Sequence, residues 1–418
     1  MNRRKLSIIG CFIVASLVLG SGNGKAEVET LKIGNLHALT GTGASWGLPC
    51  TRVSQTLCDI VNDKGGITVG GKTYRLELIS EDDQYTAAGG RAAIEKLIFR
   101  DNVKYVIGFS SASALAIMPI IHKNKIIFIP HCSTPRVFDM RSPYLFKSFV
   151  PSSQVERNIP LFIAQNLPKV KRIAAFYAND ATGKDTLAGL KLGIEDVNKT
   201  QPGRVELVAE DSFERSSTDF TPQLTRLLRS KPDAISDCAS CSPATAPMLV
   251  KQARDLGYKG YFISASTGGW VLDRLVKVAG PDYCYNMWVN TLDFENIPEV
   301  TVPEKYAKMY AEYEKMWGNL RSLAAETEKR YGSPEGAIQF ESIPMIVRGI
   351  LAADSIDTDK VVKAMEAWEA FPTYFGIGFW DGKETFGIKH SVCQPYPMTQ
   401  IEGGKVVKTL FFAPKPLP

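Results

Sequence analysis

The sequence predicts an α/β fold of two similar lobes, each a parallel sheet with helices on both faces. Three observations carry that expectation. From Leu31 onward, β-rich apolar runs alternate with helical patterns at a regular spacing, the arrangement that builds parallel sheets. The alternation pauses at 141–153 (RSPYLFKSFVPSS) and then begins again. Three extended passages, near 143–151, 286–292 and 371–378, separate the folded units, a number that suits two lobes joined by several crossings.

The first strands are expected at 31–37 (LKIGNLH), 73–80 (TYRLELIS), 104–108 (KYVIG) and 126–130 (IIFIP), with helices near 45–63, 86–100 and 112–123. The third and fourth are apolar almost throughout, as burial on both faces requires. After the pause, strands are expected at 172–178, 204–210, 233–236 and 260–264, with helices near 153–166, 183–198, 218–230 and 243–256. A weak echo, Thr40-Gly41 after the first strand and Thr182-Gly183 after its counterpart, hints at duplication. Beyond 280, 284–294 reads as extended, 303–370 as largely helical with a surface helix over 303–331, and 371–387, 397–401 and 405–412 as short strands with turns.

Composition agrees with this scale. The 418 residues are 44% hydrophobic and 22% charged, enough for two cores and unlike a disordered or disulfide-dominated chain. The formal charge is +5, but its distribution matters more. Residues 1–26 carry Arg3, Arg4 and Lys5, an apolar run from Leu6 to Leu19, and small residues ending at Ala26: the three parts of a secretory signal peptide, with cleavage expected after Ala26. Four of the 49 basic residues and none of the 44 acidic ones lie there, so the mature chain is nearly neutral, at 45 against 44. Seven cysteines follow residue 26, an odd number whose spacing assigns no pairing and leaves at least one thiol free or paired between chains.

Catalytic and nucleic-acid chemistry find little support. The four histidines, His37, His122, His131 and His390, are scattered and have no metal-ligand spacing. Cys238-Ala239-Ser240-Cys241 is a single C-x-x-C without a second to complete a zinc site, and reads as a local disulfide or as buried thiols beside a pocket. Gly65–Tyr74 contains no phosphate-binding glycine motif, and no basic stripe marks a nucleic-acid partner. No cofactor and no metal are expected. What stands out instead is small hydroxylated residues at strand ends where helices start. Ser110-Ser111-Ala112-Ser113 presents hydroxyls and first-turn N–H groups together, a place for a carboxylate, and Ser133 and Thr134 follow the fourth strand between Pro130 and Pro135. Capping alone explains either one; both at the carboxyl ends of one open sheet favour binding.

LKIGNLHALTGTGASWG (31–47) followed by VNDKGGITVGGKTYRLELISEDDQ (61–84) closely resembles the opening of bacterial periplasmic solute-binding proteins of the branched-chain amino acid (Leu/Ile/Val)-binding type, the receptors of ABC importers. Further matches at 104–119, 129–135, 217–235, 249–264 and 376–387 extend the resemblance over nearly the whole mature chain. It implies the type I periplasmic-binding-protein fold: two Rossmann-like lobes, 27–146 with 291–374 and 147–290 with 375–418, joined by a three-strand hinge. It also implies a ligand in the cleft between them and no catalysis. By position in the matched motifs, Trp46 corresponds to the aromatic at the cleft wall, Ser111 with Ala112 to the group that takes the ligand carboxylate, and Ser133 to the hydroxyl of the following loop. His131 falls where a small residue is usual, with Thr182 and Ser240 contributed by the second lobe. His131 is read as a partner for a carboxylate or phenol, a group titrating near pH 6–7, or a structural ring.

One departure bears on the ligand. Where this family's amino-acid receptors carry an acid that pairs with the ligand ammonium, the chain has Ser266, and an unpaired ammonium in a closed cleft would cost several kcal/mol. Asp180 or Asp237 would have to substitute. The expectation is therefore a periplasmic receptor for a small carboxylate- or amide-bearing ligand with an apolar or aromatic body, delivering to a membrane permease. A branched-chain amino acid is the alternative ligand, and a non-transport sensor the alternative role.

Overall fold

The computed structural model describes residues 28–264, 269–290, 297–332 and 339–414. The expected signal segment and Ser266 lie outside them. The first sheet contains β1 (Val28–His37), β2 (Ile67–Val69), β3 (Lys72–Asp82), β4 (Tyr105–Gly108) and β5 (Ile127–Pro130) in the order β2-β3-β1-β4-β5. All neighbours are parallel except β2, which turns onto β3 through Gly70-Gly71, both with positive φ as a two-residue hairpin requires. Three helices connect the parallel strands: α1 (Ala44–Asp63), α2 (Ala87–Glu95) and α3 (Ser111–Lys123).

The second half repeats the plan. Helix α4 (Ser152–Asn166) leads into β6 (Arg172–Ala178), α5 (Ala181–Thr200), β7 (Glu206–Phe213), β8 (Ala234–Ser236), β9 (Tyr261–Ser264) and β10 (Met287–Val289). Three short strands, β11 (Phe371–Thr373), β12 (Gly376–Asp381) and β13 (Ser391–Cys393), form a small antiparallel sheet of their own. The chain then returns to the second sheet with β14 (Tyr396–Glu402) and β15 (Lys405–Phe412), giving the order β15-β14-β10-β9-β8-β6-β7.

Strand alternation explains the layering. On β6, Ile173 and Ala175 join the main core that runs through the first lobe, while Ala174, Phe176 and Ala178 face a separate cluster with Phe213, Phe220 and Phe262. Both faces of the sheet are therefore covered, as the apolar runs anticipate. The expected surface helix over 303–331 is instead two helices, Ala307–Trp317 and Leu320–Tyr331. Gly318, at φ 71°, ends the first, and Asn319 caps the second by accepting from Ser322 N.

Two glycines set how closely the helices sit on the strand ends. A Cβ on Gly47 of α1 would lie 1.9 Å from the Ala38 carbonyl oxygen, and one on Gly183 of α5 would lie 2.0 Å from that of Ala178. Each lobe thus docks the helix after its first strand by the same backbone contact, which places Gly47, rather than Gly41 of the sequence echo, opposite Gly183. All seven cysteines among the described residues are buried, and Cys238 and Cys241 do not form the local disulfide that their spacing allows. No helix among those residues is long and apolar enough to cross a membrane.

Candidate functional site

The carboxyl ends of the strands in both sheets face a common cleft, as open α/β sheets arrange them. On one side Ser110 caps α3, its hydroxyl accepting from Ser113 N at 3.3 Å. The next hydroxyl, Ser111 Oγ, accepts from Ser133 N at 3.2 Å and Thr134 N at 3.3 Å. From the opposite lobe, Thr182 Oγ1 donates to the same oxygen at 3.0 Å. These donors share the two lone pairs of one hydroxyl oxygen, polarise the Ser111 O–H bond and favour its donation to an anion. Asp180 caps α5 through Gly183 N at 3.0 Å, so two helix N-termini meet across the cleft, both biased toward negative charge. Thr134 Oγ1 and Arg136 Nε donate to Asp185 Oδ2 at 2.5 and 3.2 Å and hold the lobes together beside this point.

Between these helix starts lies a cavity of about 250 Å³, lined by Thr42, Tyr85, Ser111 and Ala112 on one side and by Asn179–Thr182, Glu214 and Arg215 on the other. That is below the roughly 300–1,000 Å³ of drug-sized ligand pockets, so it suits a small molecule. A second chamber of about 10 Å³, room for one water, adjoins it past Arg215 and is bounded by Trp46, Ser240, Ser242 and Thr245. A larger hollow of about 450 Å³ opens elsewhere, beside 297–302, and contains none of the residues the sequence singles out.

Strained turns aim the cleft residues from both sides. After β3, Gln84 and Tyr85 both take positive φ, 51° and 58°, and are held there by Asp82 Oδ1 accepting from Gln84 N and Asp83 Oδ1 from Tyr85 N. After β8, Cys238 and Ala239 do the same at 46° and 50°. The Asp237 carboxylate fastens this second turn by accepting from Ala239 N and Cys241 N, together with Ser264 Oγ and Trp270 Nε1. The turn carries the Ser240 carbonyl into the cleft. Burial raises the Cys238 and Cys241 thiols well above their ordinary range, which argues for structural thiols and against redox chemistry at the C-x-x-C.

Arg215, two residues beyond β7, is the cleft's most committed charge. Its guanidinium pairs with Asp180 through Nε and Nη2 and donates from Nη1 to Ser240 O at 2.8 Å. It also lies 5.5 Å from the Trp46 ring centroid and 5.6 Å from that of Tyr85, within cation–π range. Burial alone would lower its pKa, but Tyr85 and Asp180 outweigh that and leave it above its ordinary value. Asp180 is lowered in turn: the nearby guanidinium and the hydrogen bonds overcome the effect of burial. Trp46 stacks on Tyr85 and tilts against Phe109, which stacks on His131, which stacks on Phe149 at 4.8 Å.

Of the residues singled out from the sequence, Ser111, Ala112 and Thr182 share the main cavity, and Trp46 and Ser240 border the adjoining chamber. Ser133 reaches the site through its backbone N–H. His131 sits behind Phe109 in the ring stack and borders neither hollow. Burial holds its pKa well below 6.5, with Lys147 adding to the effect, so the ring is neutral where a switch near pH 6–7 would need it to titrate. Tyr85 and Arg215 escape a sequence reading because both follow strands that run past their expected ends: β3 reaches Asp82 and β7 reaches Phe213. The signal was there in a lone arginine just beyond a strand. No cluster of metal-binding side chains occurs among the described residues.

Residues 30–405 match the family model described as periplasmic binding protein. The Leu/Ile/Val-binding protein BraC3 of Rhizobium johnstonii is 25% identical over 227 residues, 53% of this chain and 58% of the relative, so the alignment spans little more than half that relative's length. Among solved structures, the branched-chain amino acid transporter substrate-binding protein LivJ of Streptococcus pneumoniae, in complex with isoleucine, matches with TM-score 0.71 at 19% identity. It covers 92% of this chain and 100% of that one. A solute-binding protein of an ABC transporter from Rhodopseudomonas palustris, in complex with benzoate, matches with TM-score 0.70 at 18% identity, covering 92% and 97%. At such identities the structural matches speak for the fold alone, the type I fold of two lobes and a hinge. The family match extends over most of the sequence, and the chain belongs to the periplasmic binding protein family.

Proposed function

We propose that the chain is a non-catalytic receptor, exported by its N-terminal segment, that captures a small carboxylate-bearing ligand with an apolar or aromatic body and delivers it to the membrane permease of an ABC importer. The observation that carries the ligand class is the cavity between the starts of α3 and α5, where the polarised Ser111 hydroxyl and the adjoining first-turn amides face a space of about 250 Å³. Lobe closure then distinguishes loaded from empty receptor, because only a ligand with different affinity for the two states shifts their balance.

A zwitterion is disfavoured by what the acids are doing. Asp237 is surrounded by four donors, and Asp180 accepts from Arg215 twice, Gly183 N and Thr182 N. Asp237 has no lone pair left for an ammonium, and Asp180 is committed to the Arg215 guanidinium and the α5 cap. Glu214 is exposed and accepts from Asn179 Nδ2 at 2.9 Å. Support for an acid with a ring comes also from the benzoate held by the Rhodopseudomonas protein, and for a branched-chain amino acid from the names of the Leu/Ile/Val-binding relatives. A thermal-shift screen separates them: organic acids should raise the melting temperature more than Leu, Ile or Val, and the reverse order would overturn the acid reading. Ser111→Ala should weaken binding of the best acid by roughly 1–3 kcal/mol in calorimetry. Unchanged affinity would remove Ser111 from the site.

A further inference from the structure

We infer that Arg215 is the specificity-determining residue of the cleft, the group that selects a carboxylate over both its neutral amide and an α-amino acid; the inference rests on the acid-binding reading above. A guanidinium has five N–H donors in a fixed plane. Three are used here, two on Asp180 and one on the Ser240 carbonyl, which leaves one N–H on Nη1 and one on Nη2. The side chain is only 14% exposed, and it lines both the main cavity and the small chamber beside it. Its plane is steadied by Asp180 on one edge and by the Trp46 and Tyr85 rings, which come from the other lobe. Little rotamer freedom remains to be lost when a ligand binds, so a charge-assisted bond made there is made by a group already in place.

The same placement works against amino acids. The guanidinium offers an ammonium no partner, and of the two carboxylates that line the cavity Asp180 is committed to Arg215 while Glu214 is exposed to solvent and accepts from Asn179 Nδ2. The rejection is therefore built from an ammonium left unpaired as well as from a favourable contact to the acid. Tyr85 lines the cavity next to the guanidinium and offers a ring face to the ligand body, braced from behind by Trp46 and Phe109, whose ring centroids lie 5.7 and 6.2 Å from its own.

The test is a ratio of affinities, which a purely structural role would not move. Calorimetry with benzoate against benzamide, and isovalerate against isovaleramide, is run on the wild-type chain, on Arg215→Lys, and on the paired variant Arg215→Met with Asp180→Asn, which avoids stranding an unpaired acid; circular dichroism checks the fold of each. The wild type should prefer at least one acid over its amide by 10-fold or more. That ratio should fall toward one in the paired variant and stay partly preserved in Arg215→Lys, which keeps the charge but loses the fork. If acid and amide weaken together so that the ratio holds, Arg215 only braces the cleft; the inference fails while the acid reading stands. If the wild type binds Leu, Ile or Val and neither acid, the acid reading fails first and takes this inference with it.

Discussion

Gly183→Ala is expected to destabilise the protein by roughly 3 kcal/mol or more, at the upper end of what overpacking costs. The new methyl carbon would stand 2.0 Å from the Ala178 carbonyl oxygen, 2.8 Å from its nitrogen and 2.9 Å from its carbonyl carbon. All three are backbone atoms at the end of β6, which lies between β7 and β8 and has no side chain to move aside. Relief requires shifting α5 as a whole, which would carry Thr182 away from Ser111, so ligand affinity should fall with stability. Gly47→Ala meets the Ala38 carbonyl oxygen at 1.9 Å and should behave alike. Gly203→Ala is the control: its Cβ has nothing within 4 Å and only a positive φ of 68° to contend with, about 1–2 kcal/mol of backbone strain. Thermal melts of the three variants test the ordering. A Gly183 variant no less stable than the Gly203 variant would refute the close-approach explanation.

Stability should be greatest near pH 6.5 and fall on the alkaline side. Burial raises Glu156 and Glu341 to about 8 from an ordinary 4.5, each offset only in part by hydrogen bonds, from Ser236 to Glu156 and from Tyr374 N and Tyr313 to Glu341. Their folded-state pKa values lie above the unfolded ones. Each contribution is therefore present below about pH 4.5 and is lost as pH climbs toward 8, with a slope of up to about 1.4 kcal/mol per pH unit for each carboxyl. The buried histidines act in the opposite sense. Burial lowers His37 to about 4 and depresses His131 and His390 as well, so the unfolded chain takes up their protons first and stability rises with pH until about 6.5. Below 6.5 the two groups oppose each other; above it the histidines drop out and the carboxyls remain, with the raised thiols adding to their effect as pH nears 9 and the lowered Lys147 working against it. Urea titrations from pH 5 to 9 should show this decline, and Glu156→Gln or Glu341→Gln should flatten it while matching the wild type more closely near pH 5. A flat profile in the wild type would mean that neither carboxyl holds its proton in the fold.

The architecture was legible because its signals are local and repeated. Apolar runs such as Tyr105–Gly108 and Ile127–Pro130 suit only a strand covered on both faces, and the hydroxyls after them announce helix starts. Ser111 stands out for that reason, whereas Ala112 and Thr182 enter the site only through the family resemblance. What escaped is set by exceptions to local rules. Tyr85 faces the cleft because two non-glycine residues are forced into a left-handed turn by aspartates, a conformation that composition does not announce. Arg215 acquires its role only when Trp46 and Tyr85, at least 130 positions away in the chain, are folded against it. The break at Gly318-Asn319 was missed because periodicity runs smoothly through it, although the glycine and the capping residue were both visible.

The seven buried thiols carry a consequence for how the protein survives outside reducing conditions. Burial pushes Cys58, Cys132, Cys238, Cys241, Cys284 and Cys393 above their ordinary range, so the folded chain offers little of the thiolate that oxidants attack. Unfolding releases all of them at once, and among the described residues no disulfide joins these six to guide their oxidation. In an oxidising solution each opening is then a chance for mispairing that prevents return, and durability is governed by the rate of unfolding more than by its free energy. Melting should be reversible with a reductant present and dependent on scan rate without one.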